Sequence, residues 1–324
     1  MPRVHPHIKA VMQEMGEDDP VRAVRAKARA LVQQFVRLFP GTPPLNLEAL
    51  ASFRGLVSSQ EAPKHSPDSE IAPENGHVVL RINRERPAAR QRFSIGHEIG
   101  HTLFPEYQLE VRCRKPADRD WADPADQLEA LCDVAASEFL FPTPWFDEEV
   151  ARMAISASEL RDLASRFLAS PEATIRRFVE LRTDPVAAMF CSWKLKPTEI
   201  RQRAIDRHQV SMFKDEHSTP IPKLRVDYSI LNDTFRASCI DHLPKDKSLA
   251  SDGPIGEAAR RQAAGDATLW LDLGTVARKF HIHVIPIYTP DDRVGPDGAV
   301  SVAVVVRPAK TAVGSGRPTG RVHR

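Results

Sequence analysis

Two histidines four residues apart, His97 and His101, bracket a glutamate, Glu98, in the run RFSIGHEIGHTLFP. On a helix, positions i and i+4 share a face, so both imidazoles can aim one nitrogen at a single metal ion. Glu98 then stands near enough to act on a water at that ion. Zinc suits such donors and lowers the pKa of a bound water toward ~7, from where a carboxylate base can deliver hydroxide to a carbonyl. Two histidines can also share a helix face by accident. The surroundings argue against accident, because Phe93 and Phe104 give the same stretch an apolar side. Gly100 inside a helix costs about 1 kcal/mol against alanine, which points to a close backbone approach beside the site.

A metal held by two imidazoles needs a third protein ligand. The downstream run QLEALCDVAASEFLFP places Glu129 and Asp133 four apart, again on one helix face. Glu129 is the candidate ligand, and Asp133 is placed to orient a histidine N–H. A solvated acidic face would look similar, but Cys132 and Ala136 flank Asp133 and make this face partly apolar. Glu138 is the rival ligand, and Asp126 reads as a first-turn helix charge.

The two blocks FSIGHEIGHTLFP and LEALCDVAASEFLFP, in this order and at this separation, resemble the ImmA/IrrE family of metallopeptidases. The resemblance covers about residues 20 to 182 and ends its second block at Pro142. It implies an α+β fold: a mostly helical, zincin-like domain with a small sheet, and Glu129 as metal ligand. It also implies an intracellular zinc endopeptidase that cuts a helix-turn-helix repressor and releases a stress or mobile-element response. In two respects the chain departs from the pattern. The family usually has asparagine where Asp133 stands, which changes charge more than role. No residue is marked as the oxyanion stabiliser; His65, His77, Tyr107 and Arg112 are equivalent candidates.

The elements that must position these groups are legible in outline. Residues 1–18 read as a polar, loose arm, and 19–185 as the peptidase domain. Helical spacing runs from Pro20 to Phe39, and a short helix is expected at Leu45 to Phe53. Residues 58–69 read as a polar loop. Asn75-Gly76 marks a tight hairpin turn before the strand HVVLRIN. Pro87 opens the HExxH helix, which Pro105 stops. After an irregular segment at 106–122, Asp123 caps and Pro124 starts the helix carrying Glu129. Ser156 to Glu159 forms a capping box that opens a helix pair at 156–182.

That pair has the apolar spacing of a helix-turn-helix, and its second helix would offer Thr174, Arg176 and Arg177 to a DNA groove. Packing within the peptidase domain is the competing role, and the absence of a strong basic patch favours it. From 186 to 310 the texture is mixed α/β, with strands at VAAMFCSWKL, KLRVDYSIL, HIHVIPIY and AVSVAVVVR and helical stretches near 254–264 and 271–280. Its position after the peptidase resembles family members that end in a GAF-like sensor domain, which implies an unidentified small-molecule ligand. His281 and His283 alternate on a strand and face one side, as a second metal site or as a satisfied pair. Residues 311–324 form a basic tail that reads as disordered.

With 324 residues, a net charge of +2 and a pI near 8.4, the chain is too mildly basic for charge alone to imply nucleic acid. Four scattered cysteines without a CxxC pair and an N-terminus without an apolar signal region lead to the expectation of a reduced, cytoplasmic protein with no membrane span. The donor set tolerates manganese as well as zinc. A DNA-binding regulator with a structural metal is the alternative function.

Overall fold

The computed structural model describes residues 4–63, 67–109, 112–114, 123–201, 221–273, 276–287 and 298–309. The chain divides into two compact units, Met1–Leu181 and Arg182–Arg324.

The first unit is mostly helical. It begins with α1 (Pro6–Met15), α2 (Pro20–Leu38) and α3 (Leu47–Phe53). The helix α1 corrects the expectation of a loose arm. Pro6 starts it, the His5 ring accepts from the His7 N–H, and Ile8 and Val11 are buried. Two buried side chains one turn apart dock the segment, which is too little periodicity to stand out in the sequence.

A small sheet comes next: β1 (Leu56–Ser58), β2 (Ser69–Glu74), β3 (His77–Ile82) and β4 (Arg112–Arg114), in the order β1-β3-β2-β4. Asn75 and Gly76 both take positive φ, 49° and 81°, in the β2–β3 turn that the sequence marked. The expected loop at 58–69 thus gives its last residue to β2, and the irregular segment contains β4. The remaining elements are α4 (Ala88–His101), α5 (Pro124–Leu140), α6 (Trp145–Arg152), α7 (Ala157–Arg166) and α8 (Pro171–Leu181). Asp123 accepts from the Ala125 N–H and Pro124 fills the first helical position of α5; Ser156 caps α7 by accepting from the Glu159 N–H.

A buried carboxylate ties this unit together. Glu138 of α5 meets Arg177 of α8 at 2.9 Å, Arg29 of α2 at 2.9 Å and Arg25 of α2 at 3.4 Å. Three guanidinium groups compensate one desolvated charge, the condition under which a buried ion can be retained.

The second unit is a five-stranded antiparallel sheet of β5 (Ala187–Lys194), β6 (Lys223–Leu231), β7 (Gly265–Asp272), β8 (Ala277–Ile287) and β9 (Ser301–Pro308) in the order β6-β5-β9-β8-β7. The helices α9 (Asp233–Ser238) and α10 (Pro254–Arg261) contribute Phe235, Ile255 and Ala259 to a core shared with Met189, Phe280, Val304 and Val306. Among the described residues of 271–280 the expected helix does not form. Those residues hold the end of β7 and the start of β8, paired from Asp272↔Ala277 to Gly265↔Val284. Cross-strand pairing overrode a local spacing that fitted a helix turn.

Candidate metal centre

The site is built where α4 and α5 touch backbone to backbone. A Cβ added to Gly100 would lie 3.0 Å from the Cys132 carbonyl oxygen and 3.2 Å from the Ala135 Cβ; one added to Gly96 would lie 3.3 Å from Ala136. Glycine at both positions lets the helices approach until side chains one residue along can meet. The register, Gly96 on Ala136 and Gly100 on Cys132, sets His97 and His101 opposite Glu129 and Asp133.

The two imidazoles converge on one carboxylate. His97 Nε2 lies 3.1 Å from Glu129 Oε2, and His101 Nε2 lies 3.4 Å from Glu129 Oε1. The opposite ring nitrogens are occupied. His97 Nδ1 meets Asp133 Oδ1 at 2.7 Å, and His101 Nδ1 meets Cys132 Sγ at 3.3 Å. When Asp133 accepts the Nδ1 proton, the lone pair of His97 falls on Nε2, the nitrogen turned to Glu129.

His97, Glu98 and His101 are buried, whereas the Glu129 and Asp133 side chains keep 24% and 33% of their surface, so solvent reaches the site from the α5 side. Burial lowers the His97 pKa, but the ring's hydrogen bonds to Asp133 and Glu129 and the charge of Glu98 outweigh it and hold the ring at about 9. That preference for the cation is what a cluster of carboxylates imposes, and a divalent ion satisfies the same demand.

Cys132 Sγ also lies within 4.8 Å of ligand nitrogens of both histidines. Its contact is to His101 Nδ1, the nitrogen opposite the one that meets Glu129. We therefore take Glu129 as the fitting third donor and Cys132 as the group that fixes the His101 ring. The hydrogen-bonded Nδ1 atoms, two convergent Nε2 atoms and a part-exposed carboxylate fit a zinc-type donor set. Glu138, the rival, is committed to three arginines and takes no part.

Sequence reasoning missed Ser69. Its hydroxyl, buried on β2, donates to Glu98 Oε1 at 2.5 Å. Asp68 beside it is clamped by Arg86 at 2.9 Å and by Arg90 of α4 at 2.6 Å, which fixes the strand against the helix. Glu98 Oε2 lies 3.9 Å from His101 Nε2, on the side of the converging nitrogens. A lone serine in a polar stretch carries no periodic signal, so nothing in the sequence singled it out.

Of the remaining candidates, the two that are described make other contacts or face solvent. Tyr107 donates its hydroxyl to the Arg54 carbonyl at 3.3 Å, and His77 is exposed at the start of β3. His65 and the Arg112 side chain lie outside the described residues. The DNA-contact set needs correction. Thr174 and Arg177 are buried, with Thr174 bonded to the Ser170 carbonyl and Arg177 to Glu138, so of the three only Arg176 could reach a groove. The apolar spacing of the pair serves packing within the unit. In the second unit His283 Nδ1 meets Asp266 at 2.7 Å and His281 Nδ1 meets Thr268 at 2.8 Å. Among the described residues these groups do not converge into a three-donor cluster.

Residues 57–179 match the IrrE N-terminal-like domain, a peptidase family. The radiation response metalloprotease IrrE of Deinococcus radiodurans is 28% identical over 199 residues, 60% of this chain and 58% of that one. Its counterpart in Deinococcus deserti is 27% identical over 183 residues, 55% of this chain and 63% of that one. The match thus spans about three-fifths of either relative. A Mycobacterium tuberculosis transcriptional regulator shares the fold at a TM-score of 0.50 and 12% identity, covering 92% of this chain and 79% of that one.

Proposed function

Because residues 57–179 are an IrrE N-terminal-like domain of the ImmA/IrrE family, we propose that this chain is a metal-dependent endopeptidase that cuts a regulatory protein. The observation that carries the reading is the convergence of His97 and His101 Nε2 on Glu129, with Glu98 locked beside them by Ser69. His97, His101 and Glu129 would hold the ion, zinc in preference to manganese because two imidazoles outnumber the single carboxylate. Such an ion acidifies a water and polarises a carbonyl.

The chain's own residues do the rest. Glu98, buried and oriented, takes a proton from the attacking water and returns it to the leaving amine nitrogen, the two-way role of a general base and acid. Asp133 and Cys132 keep both rings in register throughout. Burial of Glu98 holds competing water away from it.

The substrate we infer is a helix-turn-helix repressor whose cleavage releases a stress or mobile-element response. The second unit acts as a GAF-like sensor that governs cleavage, a reading supported by its five-stranded antiparallel sheet with helices packed on it. The compartment we assign is the cytoplasm, in keeping with free thiols at Cys132, Cys191 and Cys239. Among the described residues no helix is long and apolar enough to cross a membrane.

The test is direct. Zinc content is measured by mass spectrometry in wild type and His97→Ala, and candidate repressors encoded beside the gene are incubated with wild type and Glu98→Gln. One zinc per wild-type chain, lost in His97→Ala, with cleavage lost in Glu98→Gln, is the expected result. Cleavage that survives Glu98→Gln overturns the mechanism.

A further inference from the structure

The far side of α4 from the metal ligands borders a second feature. Ala88, Arg92 and Ile95 recur at i, i+4 and i+7 and share one stripe of the helix. With Leu45, Glu48, Arg84 and Leu168 they line a cavity of about 300 Å³. Leu45, Ile95 and Leu168 make one side apolar.

The polar side carries surplus positive charge. Arg92 Nη2 donates to the Leu45 carbonyl at 3.1 Å, while its buried Nε finds no acceptor. Among the described residues no carboxylate pairs with it, and burial lowers its pKa with no acidic neighbour to offset that effect. Arg84 is held by Glu48, its Nη2 3.2 Å from the carboxylate, and both side chains are about half exposed. The helix α4 begins at Ala88, and its N-cap Pro87 supplies no side-chain cap, so its positive end adds to the same field. Two guanidinium groups therefore face one carboxylate that sits at the rim.

We propose that this cavity binds a small organic acid, its carboxylate on Arg92 and Arg84 and its apolar body against Leu45, Ile95 and Leu168. A guanidinium that no carboxylate neutralises is a ready partner for one, through its terminal nitrogens rather than its buried Nε. The volume is small and partly open to solvent, which fits a compact acid better than a folded peptide segment. The apolar wall gives inorganic phosphate nothing to gain. Glu48 competes with the ligand for Arg84, so the site is partly self-blocked. The cavity stands apart from the peptidase centre, because the stripe that lines it is separate from the ligand face of α4.

Benzoate is the probe, titrated calorimetrically into the full zinc-loaded chain at constant ionic strength, beside inorganic phosphate and the neutral analogue benzyl alcohol. Benzoate is expected to bind wild type, to bind Arg92→Met roughly tenfold more weakly, and to bind Glu48→Gln severalfold more tightly because Arg84 is released. His97→Ala should bind as wild type does, which separates this cavity from carboxylate binding at the metal. Methionine keeps most of the arginine stem, and Glu48→Gln is a surface change, so at least one variant reports on a folded protein. No benzoate binding, equal affinity for phosphate or benzyl alcohol, an unchanged affinity in Glu48→Gln, or loss in His97→Ala each overturns the proposal.

Discussion

At the scale of single residues, the centre concentrates three carboxylates, Glu98, Glu129 and Asp133, around two imidazoles. In the metal-free chain this raises His97 from 6.5 to about 9. A raised base stabilises the fold fully below pH 6.5, where the unfolded ring is also protonated, and that gain disappears as pH climbs through 9. Zinc takes the neutral ring, so its binding releases this proton and its affinity should rise with pH, by about tenfold per unit, until the ring is deprotonated. Titrations in buffers of different ionisation enthalpy would count the proton; a pH-independent affinity across that window would contradict the geometry. Ser69→Ala should leave zinc content unchanged and lower kcat by about tenfold, with KM little altered, because it frees the base to turn without touching a ligand. Restoration by Ser69→Thr would tie the effect to the hydroxyl. The chemistry-bearing residues were readable because metal ligation demands particular residue types at particular spacings. Ser69 was not, since its role exists only after β2 and α4 have met.

Among the elements, the pairing of α4 with α5 is the decisive one. Gly100→Ala gains about 1 kcal/mol of helix propensity but must push α5 away by a few tenths of an ångström. If both helices supply ligands as proposed, the expected outcome is a zinc affinity at least about tenfold weaker with a small change in the metal-free melting temperature. Competition with a chromophoric chelator measures this, and unchanged affinity would mean the helices can slide without cost. Glu138→Gln should destabilise the first unit by about 3 kcal/mol, because it leaves three arginines around a neutral group, Arg177 fully buried among them; denaturant unfolding reads this directly. The helices α2, α4, α5, α7 and α8 were legible from caps and apolar spacing. The helix α1 and the strand β7 were not: the first rests on two buried side chains, the second on a partner strand that local sequence does not announce.

For the whole molecule, two units with separate cores should unfold in two calorimetric transitions. Zinc at about a hundred times its Kd should raise only the transition of the first unit, by about 2.7 kcal/mol of stability. Acid should act on the second. Burial keeps the His283 pKa below 6.5 despite Asp266, so the unfolded state binds the extra proton and stability falls as pH drops below 6.5. A scan in which zinc moved both transitions alike would show that the units unfold together. The boundary is close to the change of texture near residue 185 that the sequence displays, where helical spacing gives way to β-rich runs.

The clasp of α8 onto α2 and α5 through Glu138 has a broader implication. The last helix before Arg182 is fastened from within its own unit, by Arg177 and by Glu180, which Arg25 meets at 2.7 Å. The first unit therefore carries its own closure, made by residues that all precede Arg182. On the proposed reading, a peptidase unit closed in this way would be portable, joined by recombination to a different module without redesign of the part that cuts.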